Sequence, residues 1–245
     1  MPRKRSGLGK PEGAFHHGNL AVALVTRSLE VLDGEGLAAL GIRRLARDLG
    51  VDPSAVYRHY RDSDALLGAV AEASFVELAG ATEKAVGRTT HAEAALRAAG
   101  EAYVAYALRH PARFQAMFGV RGSGPHAWPR EAGRGPSGRT AWETLEAIAE
   151  QLHEDGRLAT PPPLAARAAW AAVHGVATLL IEGPLRDLGP TARRALVTAT
   201  LDMTIAGLCP TPLKAQAEGK RRARASPRGR ARAARSAAGT VEDGP

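Results

Sequence analysis

Apolar residues recur along this chain at intervals of three and four, and alternating β-branched runs are absent. That interval is the period of a helix with one buried face, so the pattern predicts an all-α fold. Gly and Pro divide it into segments: "DGEG" at 33–36, "GVD" at 50–52, Pro111, "GSGPHAWPREAGRGPSG" at 122–138, "PPP" at 161–163, and "GP" at 183–184 and 189–190. Between these breaks helices are expected over about 19–33, 42–49, 53–60, 63–87, 91–109, 111–118, 138–154, 162–182 and 190–208. Asp52 before Pro53 and Asp62 before the long fourth helix are suited to cap their helices. Residues 1–15 and 210–245 hold few large apolar side chains, and both are expected to be disordered.

Charge separates the same regions. The net charge is +8, with +4 on residues 1–61, −2 on 62–209 and +6 on 210–245. Basic ends around a near-neutral middle suit a polyanionic partner, although basic tails also keep proteins soluble. The single cysteine, Cys209, forms no internal bridge and fits a reducing compartment. The longest strongly apolar run, Ala168 to Ile181, is shorter than the roughly 18–20 residues of a membrane span. No membrane partner and a cytoplasmic location are therefore expected.

The stretch "GIRRLARDLGVDPSAVYRHY" (41–60) reads as two short helices about a turn at Gly50, with Leu24, Ile42, Leu45, Ala46, Leu49 and Val56 packing the corner. The second helix then presents its outer face to a groove. Small residues at its start, Ser54 and Ala55, allow close approach to base edges, and an alanine methyl can meet a thymine methyl. Tyr57, Arg58 and His59 follow within reach of phosphates or bases. An ordinary three-helix corner with a solvated polar face has the same pattern.

"GIRRLARDLGVDPSAVYRHYRDSDALL" (41–67) resembles the DNA-binding domain of TetR-family bacterial transcriptional regulators. The resemblance covers about residues 19–70. Gly50-Val51 in the turn, Tyr57 and His59, and Ala65-Leu66-Leu67 opening the fourth helix carry it. It implies a helix-turn-helix domain over 16–62 and a helical ligand-binding and dimerisation domain over 63–209. Arg43 takes a base- or phosphate-contacting place, Ser54 and Ala55 base-reading places, and Tyr57 and His59 backbone-contacting places. Arg58 stands at a variable, sequence-reading place, and the arm Arg3-Lys4-Arg5 could enter the minor groove. Two departures weaken phosphate anchoring: Gly41 stands where Thr or Ser is common, and Ser63 where Lys is common.

The second block resembles a subgroup with a Trp–His–Gly motif, here Trp170, His174 and Gly175, accompanied by "RHPARFQAMFG" at 109–119. Trp170, His174, Thr178 and Ile181 recur near one helical face and could line a ligand cavity. Such residues are also common in cores. Tyr103, Tyr106, Phe114, Met117, Phe118 and Trp142 are further candidates. By the resemblance, the last two helices pair with their copies in a second subunit, and the small residues along 165–177 permit a close helix approach, although Ala is abundant throughout the chain.

No Cys/His/carboxylate set has metal-ligand spacing, and neither a phosphate-binding loop nor a nucleophile elbow is present. No enzyme, cofactor or metal is expected. The reading is a homodimeric repressor that binds a near-palindromic double-stranded DNA operator and is released by a small-molecule effector. The alternatives are a sequence-independent architectural DNA binder acting through 214–235, and a ligand-binding protein that has lost DNA binding.

Overall fold

The computed structural model describes residues 17–119 and 133–210. Among them there is no strand. The helices are α1 (His17–Glu35), α2 (Ile42–Asp48), α3 (Pro53–Tyr57), α4 (Ser63–Val86), α5 (Ala92–Arg109), α6 (Pro111–Phe118), α7 (Ala141–Glu154), α8 (Pro162–Ile181) and α9 (Pro190–Leu208). A single 3₁₀ turn, Leu37–Ala39, joins α1 to α2.

Local chemistry sets these boundaries. The Asp52 carboxylate accepts from the Ser54 N–H at 2.8 Å, and Asp62 accepts from the Ala65 N–H at 2.7 Å. Each satisfies one of the free N–H groups at a helix start. Thr140 and Glu143 form a reciprocal capping box on α7. That pair starts the helix at Ala141, three residues later than the periodicity suggests. Gly50 holds φ +65°, a conformation that glycine adopts without a Cβ penalty, and so makes the turn between α2 and α3.

Two cores meet inside α4. Its first turns bury Leu66, Leu67 and Val70 with Leu24, Leu45, Val56 and other residues of α1–α3. Leu49, expected in this corner, packs against it half-buried at the end of α2. Further along, Phe75 and Leu78 join Tyr103, Phe114, Met117, Val173 and Leu201. A third cluster holds Leu96, Trp142, Leu152 and Ala166 between α5, α7 and α8. One short helix serves both ends: α6 gives Ala112 and Ala116 to the first core, and Phe114 and Met117 to the second.

Two expectations change. The helix expected to reach Tyr60 ends at Tyr57, so Arg58 and His59 lie in the turn beyond it. Tyr60 is held there, its hydroxyl donating to the Ala21 carbonyl at 3.3 Å, and the chain turns directly into α4. Also, α4 and α8 are each long and apolar enough by length and composition to cross a membrane. The apolar length of α4 serves two cores. On α8, Ala165, Ala169, Val173, Val176 and Leu180 face inward, while Leu164 is 54% and Leu179 43% exposed.

Candidate functional site

The first candidate surface is the corner of α2 and α3. Buried Ile42, Leu45, Ala46 and Val56 lock the two helices together. Outside, Arg43, Ser54, Arg58 and His59 are exposed, Tyr57 is 53% exposed, and Ala55 is half-buried against the core. The arginines fall into two groups. Arg44 is spent on Glu35 and Asp48, and Arg27 on Glu30 and Asp48. Hydrogen bonding from these arginines holds the Glu35 and Asp48 carboxyls below their usual range. Among the described residues, no carboxylate lies within ion-pair distance of Arg43, Arg47 or Arg58. Arg43 and Arg47 are four apart on α2 and so share a face. The sequence reading missed Arg47, although this spacing was there to find it. Arg3, Lys4 and Arg5 lie outside the described residues.

The second candidate is an apolar cavity of about 60 Å³ among α4, α5, α6, α7, α8 and α9. Tyr103, Phe118, Trp142 and Trp170 border it, as does Phe75. The other predicted ligand residues stand elsewhere. Phe114 and Met117 are buried beside it in the second core, and Tyr106 is buried on α5 facing α4 and α6. His174 sits behind the wall: its Nδ1 is 2.8 Å from the Tyr103 hydroxyl, and its ring is 4.8 Å from that of Phe118. Thr178 is half-buried and does not line the cavity. Each four-residue step drifts about 40° around a helix, so Thr178 is turned well away from the face of Trp170.

Several liners carried no sequence signal beyond ordinary core character, among them Leu78, Leu96, Leu145 and Leu201. Gly100 shows what the close packing there requires. A Cβ on it would stand 2.5 Å from Leu201 Cδ2. Burial pulls the His174 imidazole below its ordinary pKa and pushes the Tyr103 phenol well up, so both are neutral near pH 7. Among the described residues no three His, Cys, Asp or Glu side chains converge as a metal site requires.

A charged seam links cavity and corner. The Arg113 guanidinium on α6, 8% exposed, donates through Nε to Asp33 Oδ1 of α1 at 2.8 Å. Through Nη1 it donates to Glu77 Oε2 of α4 at 2.7 Å. His110 Nδ1 lies 3.0 Å from the same Asp33 oxygen. Burial works to raise the Asp33 pKa, but the hydrogen bonds from Arg113 and His110 outweigh it and hold the carboxyl below its usual range. Five residues after Arg113, Phe118 forms part of the cavity wall.

Residues 24–70 match the family model of bacterial regulatory proteins of the tetR family, and residues 96–204 match that of the tetracyclin repressor-like C-terminal domain. The chain belongs to the TetR family. Over 51 residues it is 45% identical to the tetracycline repressor protein class C of Escherichia coli, a match spanning 21% of this chain and 23% of that repressor's length. A protein of unknown function from Rhodococcus sp. RHA1 is 31% identical, with TM-score 0.62 over 81% of this chain and all of that one. A TetR variant from Acinetobacter baumannii AYE, solved in complex with minocycline, shares the fold at 23% identity. Its TM-score is 0.55 over 75% of this chain and 93% of the other. The TetR-family chain is thus a DNA-binding transcriptional regulator with a helix-turn-helix head and a helical C-terminal domain.

Proposed function

We propose that this regulator is a cytoplasmic homodimeric repressor, freed from a near-palindromic operator when a small molecule enters the cavity. The observation that carries the reading is the double role of α6. Ala112, Ala116 and Arg113 belong to the head, and Phe118 belongs to the cavity. A molecule larger than about 60 Å³ has to displace the wall. Displacing Phe118 moves a helix that grips α1 through Asp33 and α4 through Glu77. Release follows only if the effector binds the displaced arrangement more tightly than the DNA-bound one.

The dimer is supported by α8 and α9. Their outward stripes are Leu164, Ala168, Ala171, Gly175 and Leu179 on one, and Ala192, Ala195, Ala199, Met203 and Ala206 on the other. None is charged, and Met203 is 69% exposed. An uncharged face on two adjacent helices suits burial against a copy of itself. Two heads would then read half-sites about 34–36 Å apart, one turn of B-DNA. Arg43, Ser54, Tyr57, Arg58 and His59 supply the contacts, with Ala55 against the groove floor.

The test is selection of bound sequences from a random DNA pool by the full-length protein at about 150 mM salt, where non-specific binding is weak. The expected result is an enriched inverted repeat that survives deletion of 211–245. Binding without enrichment, lost on that deletion, would replace this reading with sequence-independent binding by the basic tail.

A further inference from the structure

The cavity wall is aromatic out of proportion to the chain. The protein has three Trp, four Tyr and four Phe, and Phe75, Tyr103, Phe118, Trp142 and Trp170 all border this one space. Pairs of these rings meet edge to face: Phe75 and Phe118 at 5.4 Å and 82°, Trp142 and Trp170 at 6.1 Å and 86°. That geometry suits an added flat ring, which can meet the face of one neighbour and the edge of another.

The polar atoms narrow the choice. Among the described residues that line the cavity there is no Asp, Glu, Lys, Arg or His. A charged guest would lose its hydration without meeting an opposite charge, which is costly in an apolar space. The hydroxyl protons at the wall are already committed. Thr82 Oγ1 donates to the Leu78 carbonyl at 2.9 Å, and Thr204 Oγ1 donates to the Thr200 carbonyl at 2.7 Å. The Tyr103 hydroxyl is engaged with His174 Nδ1 at 2.8 Å. A neutral imidazole with its proton on Nε2 accepts from Tyr103 in that contact. The hydroxyls offer lone pairs and no spare proton, while the donors at the wall are the indole N–H groups of Trp142 and Trp170, the latter hydrogen-bonded to the Tyr103 oxygen. The wall thus holds acceptors and donors but no ion, so what it selects in a guest is an aromatic body without charge.

We propose that the effector site takes an uncharged aromatic molecule. This rests on the cavity being the effector site, as argued above. At about 60 Å³ the closed cavity is smaller than the roughly 150 Å³ that holds benzene in an engineered protein core, so entry requires the wall to yield.

The experiment is calorimetric titration of the full-length protein with four probes on one ring system: 2-naphthol, 2-methoxynaphthalene, 2-naphthoate and trimethyl(2-naphthyl)ammonium. Naphthol and its methyl ether are each expected to bind at least ten-fold more tightly than naphthoate and the ammonium probe. The naphthol heat should vanish in Ala99→Leu or Ala169→Leu, each of which fills the cavity; whichever stays folded by circular dichroism serves. Equal or tighter binding of the ammonium probe overturns neutrality and makes the aromatic wall a cation cage. Equal or tighter binding of naphthoate overturns neutrality as well. In these two outcomes the effector site itself stands. If no probe binds, or if naphthol binds undiminished in a folded filled variant, the cavity is not the site, and both readings fall.

Discussion

At the scale of single residues, neighbouring arginines on α2 have different work. Arg43 and Arg47 are exposed and free of carboxylates among the described residues, whereas Arg44 is held by Glu35 and Asp48. Replacing Arg47 by Ala is expected to weaken binding to all operator variants alike. It should also lower the slope of log K against log salt by about 0.9, one phosphate contact. Arg44→Ala should instead lower the melting temperature and leave that slope unchanged; titrations at several salt concentrations separate the two. The sequence shows three arginines and the four-residue spacing of Arg44 and Asp48, but not that Arg44 is also held by Glu35, which folding alone brings to it. It shows Trp170 and His174 as a pair for the same reason, yet only Trp170 borders the cavity. His174 yields a pH prediction. Its folded pKa lies below the unfolded value of about 6.5, so the unfolded chain binds the extra proton first. The stability tied to this group is complete above about pH 6.5 and is lost as pH falls toward the depressed value. His174→Gln should flatten the part of the melting-temperature profile that falls below about pH 6.5.

At the scale of elements, helix existence was legible throughout, because each helix has its own 3.6-residue period and its own breaker. Even α6, eight residues long, is announced by Pro111 and closed by Gly119. Its role was not legible. Nothing in "RHPARFQAMFG" says that Ala112 and Ala116 pack with α1 while Phe118 turns to a cavity; that depends on where α4 carries the chain. Arg113 makes the role testable. Arg113→Met keeps the buried stem and removes the hydrogen bonds to Asp33 and Glu77. Both carboxylates are partly open to water, so the expected loss is about 1–3 kcal/mol. Amide exchange should quicken in the last two turns of α1, where Asp33 sits, and stay unchanged in α8. Equal acceleration in both would mean that Arg113 supports the whole fold and not the seam.

At the scale of the whole molecule, the features that the sequence left ambiguous are those that need a second copy. Small residues along 165–177 read equally well as compositional bias. The fold divides them: Ala165, Ala166 and Ala169 face the core, and Ala168, Ala171 and Gly175 face out with Leu164 and Leu179. Gly175 separates dimerisation from folding. A Cβ built there meets nothing within 4 Å in the protomer. Within one chain, Gly175→Ala should therefore stabilise α8 by about 1 kcal/mol, the ordinary difference in helix propensity. Gly175→Leu should likewise be tolerated by the protomer. If α8 crosses its copy at this point, the leucine holds the two helices apart. The variant then sediments as a folded monomer, with a melting temperature that no longer depends on protein concentration. Operator affinity should fall by about 10²–10⁴, the advantage that linking two half-site readers confers. A Gly175→Leu protein that remains dimeric would move the crossing elsewhere on the stripes, and Met203→Glu on α9 would then be the substitution that parts the subunits.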